Sequence, residues 1–316
     1  VRKKIDRQLV TIYGVAAVLI VFALVSRESF RSLTSIGNLM AQAAPLGVVA
    51  LGQTLVLLVA GIDLSVGAVA SASTAIGATL INASPQRMLL GVLAIFVFSV
   101  VVGFSNGFLV SFLNLHPLIA TLSTSIVITG VTLLLLPYPG GYVDYNFSEI
   151  FNTRIFGLLP LSFVYLIILF IILLWILGQT AFGRHLYATG GNAEKARIVG
   201  VNVKKVRMFA YLICSVLAGF GGLLLSARMY SGDPYAGTSF TLSSISAALI
   251  GGVSFAGGRG SIAGTMAGII IISMLSMLLN LFGVSPFYQN IMEGSILIVA
   301  VMISVAQQTS SGRKNV

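Results

Sequence analysis

Charged side chains are scarce in this sequence: Asp, Glu, Lys and Arg make up 8% of its 316 residues, while 57% are hydrophobic. Soluble domains carry about 25% charged residues, so this chain cannot cover a water-facing surface and its main solvent is lipid. A single cysteine, Cys214, excludes an intramolecular disulfide and is read as a helix-packing residue. The only histidines, His116 and His185, are too far apart in sequence to offer zinc-ligand spacing. No nucleotide-binding loop is present, because Gly257-Gly258-Arg259-Gly260 lacks the Gly-Lys-Ser ending and follows an apolar span instead of a strand. No nucleophile, base and orienting carboxylate form a triad signature, which leaves an intramembrane hydrolase unsupported. The formal charge of +10 is divided among short loops. That distribution lacks the basic stripe of a nucleic-acid binder.

What the sequence has in abundance is long apolar runs. They are continuous in Leu, Ile, Val and Ala and lack the alternation of barrel strands, which predicts an all-α, polytopic transmembrane bundle. The runs fall at 9–25, 36–60, 64–81, 89–113, 117–136, 161–177, 206–227, 240–255, 262–281 and 288–306. With the N-terminus cytoplasmic, one face collects Arg2, Lys3, Lys4, Arg7, Arg184, Lys195, Arg197, Lys204, Lys205, Arg207, Arg259, Arg313 and Lys314. The other keeps Arg27, Arg31, Arg87, Arg154 and Arg228. This bias predicts about ten crossings with both termini cytoplasmic, in a single domain over 1–316. Re-entrant glycine-rich turns near Asp63 and Gly258 would lower the count to eight. The basic N-terminus before 9–25 imitates a signal peptide, but no convincing small-x-small cleavage site follows, so the run is read as a retained span.

Polar residues inside apolar spans are candidates for function. Asp63, in Gly61-Ile62-Asp63-Leu64-Ser65-Val66-Gly67, is expected to cap a helix starting near Leu64, with a gating or solute-contact role as the alternative for Asp63 and Ser65. Gln53, Asn106 and Glu293 are further candidates for the translocation pathway or for interhelical bonding. Small residues such as Gly67, Ala68, Ala70 and Ser71 predict close helix packing. The long loop 179–205 contains a short helix with its own caps. Asn192 stands at the N-cap, Glu194 at the positive end, Arg197 near the negative end and Gly200 at a left-handed stop. Such an element can protrude and fit a groove on a soluble partner. Asp144, Glu149, Arg154, Arg228 and Asp233 on the opposite loops are candidate docking charges.

Three motifs in order, Gly61 to Gly67, then Phe182-Gly183-Arg184 with Gly190-Gly191-Asn192 and Gly200-Val201-Asn202-Val203, then Gly251-Gly252 with Ala256-Gly257-Gly258-Arg259-Gly260-Ser261, resemble the permeases of bacterial monosaccharide ABC importers of the ribose-type group. The resemblance runs from about Asn38 to about Ala306. It implies a subunit of the bacterial cytoplasmic (inner) membrane, working by alternating access with a second permease copy or a sister permease, cytoplasmic ATPase subunits and an extracytoplasmic solute-binding protein. No cofactor is expected on this chain, with ATP and Mg held by the ATPase. The segment Asn192, Ala193, Glu194, Lys195, Ala196, Arg197 to Gly200 then looks like the coupling helix. Similar permeases usually carry acidic residues where this chain has Thr241 and Ser243, expected at the outer end of a span, so ribose itself is not carried over. The competing expectation is an ion-coupled secondary transporter with Asp63 or Glu293 as the proton carrier.

Overall fold

The computed structural model describes residues 12–14, 16–18, 32–81, 84–285, 287–288, 291–292, 294–295, 298 and 302. Within them the chain runs α1 (Leu33–Leu58), α2 (Val66–Leu80), α3 (Pro85–Ser111), α4 (Pro117–Leu135), α5 (Tyr145–Asn152), the strands β1 (Arg154–Ile155) and β2 (Leu159–Pro160), α6 (Leu161–Gln179), α7 (Ala181–Gly191), α8 (Ala193–Ile198), α9 (Val203–Met229), α10 (Phe240–Ile250) and α11 (Ile262–Leu281). The helices begin where the sequence supplies caps: Ser32, Ser84, Thr180, Asn202 and Ser261 each accept a first-turn N–H through the side chain.

Among the described residues six helices, α1, α3, α4, α6, α9 and α11, are long and apolar enough to cross a membrane. Two of the expected spans are shorter than predicted. Helix α2 has 15 residues and α10 has 11; at 1.5 Å per residue they reach about 22 and about 16 Å, less than a hydrocarbon core of about 30 Å. Both are enclosed by protein. Residues Val66 to Ala78 of α2 and Ser243 to Leu249 of α10 are buried throughout. The expected spans 9–25 and 288–306 fall largely outside the described residues, as does Glu293.

Helix α9 is the centre, packed against α3, α1 and α2, while α10 lies against α11 and α1. Burial sorts the helices into layers. The apolar windows of α1, α9 and α11 are 89%, 67% and 72% buried, but those of α3, α4 and α6 only 28%, 22% and 22%. The first set forms the core and the second leaves Leu, Ile and Phe exposed on the outside of the bundle.

Backbones meet closely in this core because the contact positions are small, which gives van der Waals association where lipid offers no hydrophobic drive. On α9, Gly222 leaves no room for a side chain: a Cβ there would collide with the Ala70 carbonyl oxygen and lie 2.6 Å from Ser73 Cβ on α2. The bundle's two ends differ. One carries α5 and the β1–β2 hairpin; the other carries α7 and α8 and takes the name coupling end from the role expected of α8.

The packing gives a matched pair of expectations. Gly222→Ala should lose roughly 1–3 kcal/mol through overpacking, seen as a lower thermal midpoint of the purified chain in detergent. Gly130→Ala, on α4 with open space around its Cβ position, should unfold like the parent or slightly later. Equal midpoints for the two variants would contradict this packing.

Candidate coupling and translocation site

Helix α1 stops at a Schellman turn. Gly61 N–H donates to Val56 O and Ala60 N–H to Leu57 O, both at 2.9 Å, and Ala60 takes the left-handed conformation with φ of 59°. The chain then runs non-helically through Ser65 before α2 begins. Polar backbone at membrane depth is stable only if protein satisfies it, and side chains of α1, α4 and α9 reach it here. The Ile62 carbonyl accepts from Tyr211 Oη at 3.3 Å and from Thr121 Oγ1 at 3.4 Å, and Leu64 N–H donates to Thr121 Oγ1 at 3.0 Å. The Gln53 carboxamide, oriented so that both ends are satisfied, pairs with the N–H and C=O of Asp63 at 3.2 Å each.

Four of the predicted residues therefore come together. Asp63 Oδ1 accepts from Ser65 N at 2.9 Å and from Ser65 Oγ at 2.6 Å, and Asn106 Nδ2 donates to Ser65 Oγ at 2.8 Å. Gln53, Asp63, Ser65 and Asn106 are all 0% exposed. Asn106 lies five residues before the end of α3, about 8 Å inside the coupling end. The expected capping role is corrected in detail. The helix starts at Val66 instead of near Leu64, Ser65 makes no side-chain cap bond, and Asp63 holds the turn that leads into the helix. Side-chain bonding within this cluster links α1, the break and α3; in this conformation it is closed to solute.

Thr241 and Ser243 lie deeper than predicted. A Cβ on Gly67 would collide with Thr241 Oγ1, so the start of α10 abuts the start of α2, about 20 Å from the far end of α2. The connection before α10 dips into the bundle to reach that depth: Gly237 N–H donates to Ser71 Oγ at 2.9 Å and Thr74 Oγ1 donates to Asp233 O at 2.8 Å. This re-entrant segment explains why α10 is short.

The coupling end carries the capped segment that the sequence predicts. Asn192 Oδ1 accepts from Lys195 N at 2.8 Å and opens α8. Gly200, with φ of 87°, closes it through Val201 N–H to Ala196 O at 3.0 Å and Gly200 N–H to Arg197 O at 3.1 Å. Glu194, Lys195 and Arg197 are exposed and Ala193 is half-buried, while Ala196 turns inward. Two features were not anticipated. Helix α7 precedes α8 where a loop was expected, and α8 ends in an apolar pair, Ile198 and Val199, 78% and 77% exposed.

A backbone joint fixes this segment to the break. A Cβ on Gly190 would collide with Leu58 O and lie 2.6 Å from Gly258 N, and Gly258 N–H itself donates to Leu58 O at 2.9 Å. Gly257 packs on Ala60, and Tyr187 Oη donates to Gly260 O at 3.0 Å. The end of α1, the end of α7 and the turn after α10 therefore meet at one point. The sequence shows these glycines as motifs but not that they touch, because that contact joins residues about 130 and about 70 positions apart.

At the opposite end, four of the five candidate docking charges are engaged internally. Asp144 accepts from Phe147 N–H at 3.1 Å, Glu149 accepts from Tyr230 Oη at 2.8 Å, Asp233 accepts from Tyr235 N–H at 2.8 Å, and Arg154 Nη2 donates to Asn38 Oδ1 at 2.6 Å.

The buried cluster generates a stability prediction. Asp63→Ala leaves Ser65 N–H without its acceptor and should lose roughly 1–3 kcal/mol. Asp63→Asn, which keeps an acceptor oxygen, should lose less. Thermal unfolding in detergent measures both, and an Asp63→Ala chain as stable as the parent would contradict the cluster's structural role.

With this geometry in hand, comparison with known proteins gives a consistent result. Residues 35–301 match the family model described as branched-chain amino acid transport system / permease component. The ribose import permease protein of Bacillus subtilis is 37% identical over 289 residues, covering 90% of this chain and 89% of the relative. That of Escherichia coli K12 is 33% identical with 92% of each chain covered, and the galactose/methyl galactoside import permease protein of Haemophilus influenzae is 33% identical with the same coverage. No solved structure matches. These relatives include the ribose-type group to which the three motifs pointed, and they are transport subunits, not enzymes. The chain belongs to the permease-component family of branched-chain amino acid transport systems, as a multi-pass membrane protein.

Proposed function

We propose that this chain is the membrane-spanning subunit of an ATP-driven importer for a monosaccharide or similar small polar solute in the bacterial cytoplasmic membrane. It pairs with a second copy or a sister permease, and it works with cytoplasmic ATPase subunits that hold ATP and Mg and with an extracytoplasmic solute-binding protein. The relatives' names give the solute class: both ribose and galactose/methyl galactoside permeases match over about nine-tenths of the chain. The family description names a different solute, so membership alone does not select one.

The observation that carries the mechanism is the backbone joint. A short capped helix with exposed Glu194, Lys195, Arg197, Ile198 and Val199 stands at the surface, and the adjacent Gly190 is locked against Leu58 and Gly258. When the ATPases close on α8, the push passes through α7 to the end of α1 and the turn after α10. From there it reaches the break where Gln53, Asp63, Ser65 and Asn106 hold α1, α2 and α3 in one arrangement. Moving that junction shifts packed helices as bodies, the form of alternating access that inward-facing and outward-facing states require. Thr241 and Ser243, in the first turn of α10 after the re-entrant connection, meet solute in the other state.

Reconstitution tests the reading. In proteoliposomes containing the permease, its ATPase and its binding protein, uptake and ATP hydrolysis should both rise with a solute the binding protein retains, whereas uptake by this chain alone under a proton or sodium gradient would favour the ion-coupled alternative. The double variant Glu194→Ala/Arg197→Ala should lower ATPase docking or separate hydrolysis from uptake by roughly tenfold or more, with membrane insertion intact. Full transport by that variant would remove the coupling role. Gly190→Ala should dock the ATPase normally yet transport poorly, while Gly191→Ala, which has open space around its Cβ position, should transport like the parent.

A further inference from the structure

A second site lies beside the coupling segment and does not depend on the coupling role. Helices α3 and α9 touch at Gly107, where a Cβ would lie 2.9 Å from both Cα and O of Met208. Beyond that contact they diverge around a cleft of ≈ 330 Å³, lined by Ser111 and Asn114 from the end of α3, Glu194 and Arg197 from α8, and Lys204 and Arg207 from the start of α9. This is at the small end of the range for ligand pockets, about 300–1,000 Å³. Three cations face one carboxylate, beside the N-terminus of a 27-residue helix whose dipole also favours an anion. Ser111 supplies an independent sign of a ligand: it is 2% exposed, lines the cleft, and its hydroxyl has no hydrogen-bond partner among the described residues.

The surroundings decide which anion. Lys204 Nζ sits 5.6 Å from the centroid of the Phe112 ring. Phe112 stacks on Phe108 at 5.5 Å and Phe108 on Phe104 at 6.3 Å, a ladder along α3 whose rings are 37%, 41% and 51% exposed. Helix α3 is long enough to cross a membrane and its apolar window is only 28% buried, so its exposed face is suited to lipid. A cationic cleft with a buried free hydroxyl therefore opens at the end of an apolar, lipid-facing ladder. An acidic protein side chain would match the cations but leave the ladder unexplained; a lipid matches both.

We propose that the cleft binds the phosphodiester headgroup of an anionic phospholipid of the adjacent leaflet. Lys204, Arg207 and Arg197 neutralise the phosphate, the Ser111 hydroxyl donates to one of its oxygens, and the ladder from Phe112 to Phe104 receives an acyl chain. Because Arg197 belongs to α8, the bound lipid ties the surface helix to the bilayer.

The test uses the full chain in nanodiscs of phosphatidylcholine, alone or mixed with phosphatidylglycerol in equal parts, with retained lipid read by native mass spectrometry. The parent should retain phosphatidylglycerol selectively. Lys204→Gln and Arg207→Gln should each weaken retention roughly fivefold, and Ser111→Ala roughly threefold. Lys205→Gln, which removes a neighbouring charge outside the cleft, should retain like the parent, and Lys204→Arg should restore what Lys204→Gln loses. Unfolding midpoints in phosphatidylcholine alone identify any variant that has lost its fold, in which case Ser111→Ala and Lys204→Arg decide. Undiminished retention by Lys204→Gln and Arg207→Gln would overturn the proposal. So would displacement of the lipid by millimolar inorganic phosphate, which assigns the cleft to free phosphate, or by stoichiometric ATPase, which assigns it to an acidic protein surface.

Discussion

A stretch of chain that leaves helical structure inside a lipid-solvated bundle must find its hydrogen bonds in protein, and the break from Val59 to Ser65 takes several of them from side chains of four helices. Gln53 reads the Asp63 backbone from α1, Asn106 reaches Ser65 from α3, Thr121 serves Ile62 and Leu64 from α4, and Tyr211 reaches Ile62 from α9. Water cannot substitute for these partners where all four cluster residues are sealed. The relative positions of α1, α2, α3, α4 and α9 are thereby tied to one short segment. The shortness of α2 follows, since part of its expected length is given to the break.

The same segment ends the path from the surface helix. Joints made by side chains can slacken as rotamers change, but Gly190, Gly258 and Leu58 meet as backbone, with a hydrogen bond across the contact. Backbone contact transmits displacement with little loss because there is no side chain to yield. Surface helix, joint and polar break are therefore in continuous contact, and the proposed coupling to a separate motor rests on that contact.

Much of this was legible in the sequence, for identifiable reasons. Local chemistry could be read: Asn192 and Gly200 bracket α8 because an N-cap oxygen and a left-handed residue act within a few positions. Apolar length located all six long helices. What could not be read depended on distant contacts. Nothing near Phe240 announces that residues 231–239 dip alongside α2, so α10 was expected as a full span and Thr241 at its outer end. Ala60, not the neighbouring Gly61, takes the left-handed position after α1, where Gly257 packs against it. Arg154 looked available for docking until its bond to Asn38 placed it against α1. Gln53, Asp63, Ser65 and Asn106 were each suspected for polarity inside an apolar span; only the fold shows that they form one cluster.

The central claim is that α7 and the turn after α10 move together. Spin labels introduced at Gly191→Cys and Arg259→Cys, both exposed positions flanking the joint, report on it directly, and Cys214 is buried and leaves the background unlabelled. Dipolar broadening between the two labels in the assembled importer should be the same before and after ATP binding. A change in that broadening on ATP binding would show the two segments sliding past each other and would contradict the account.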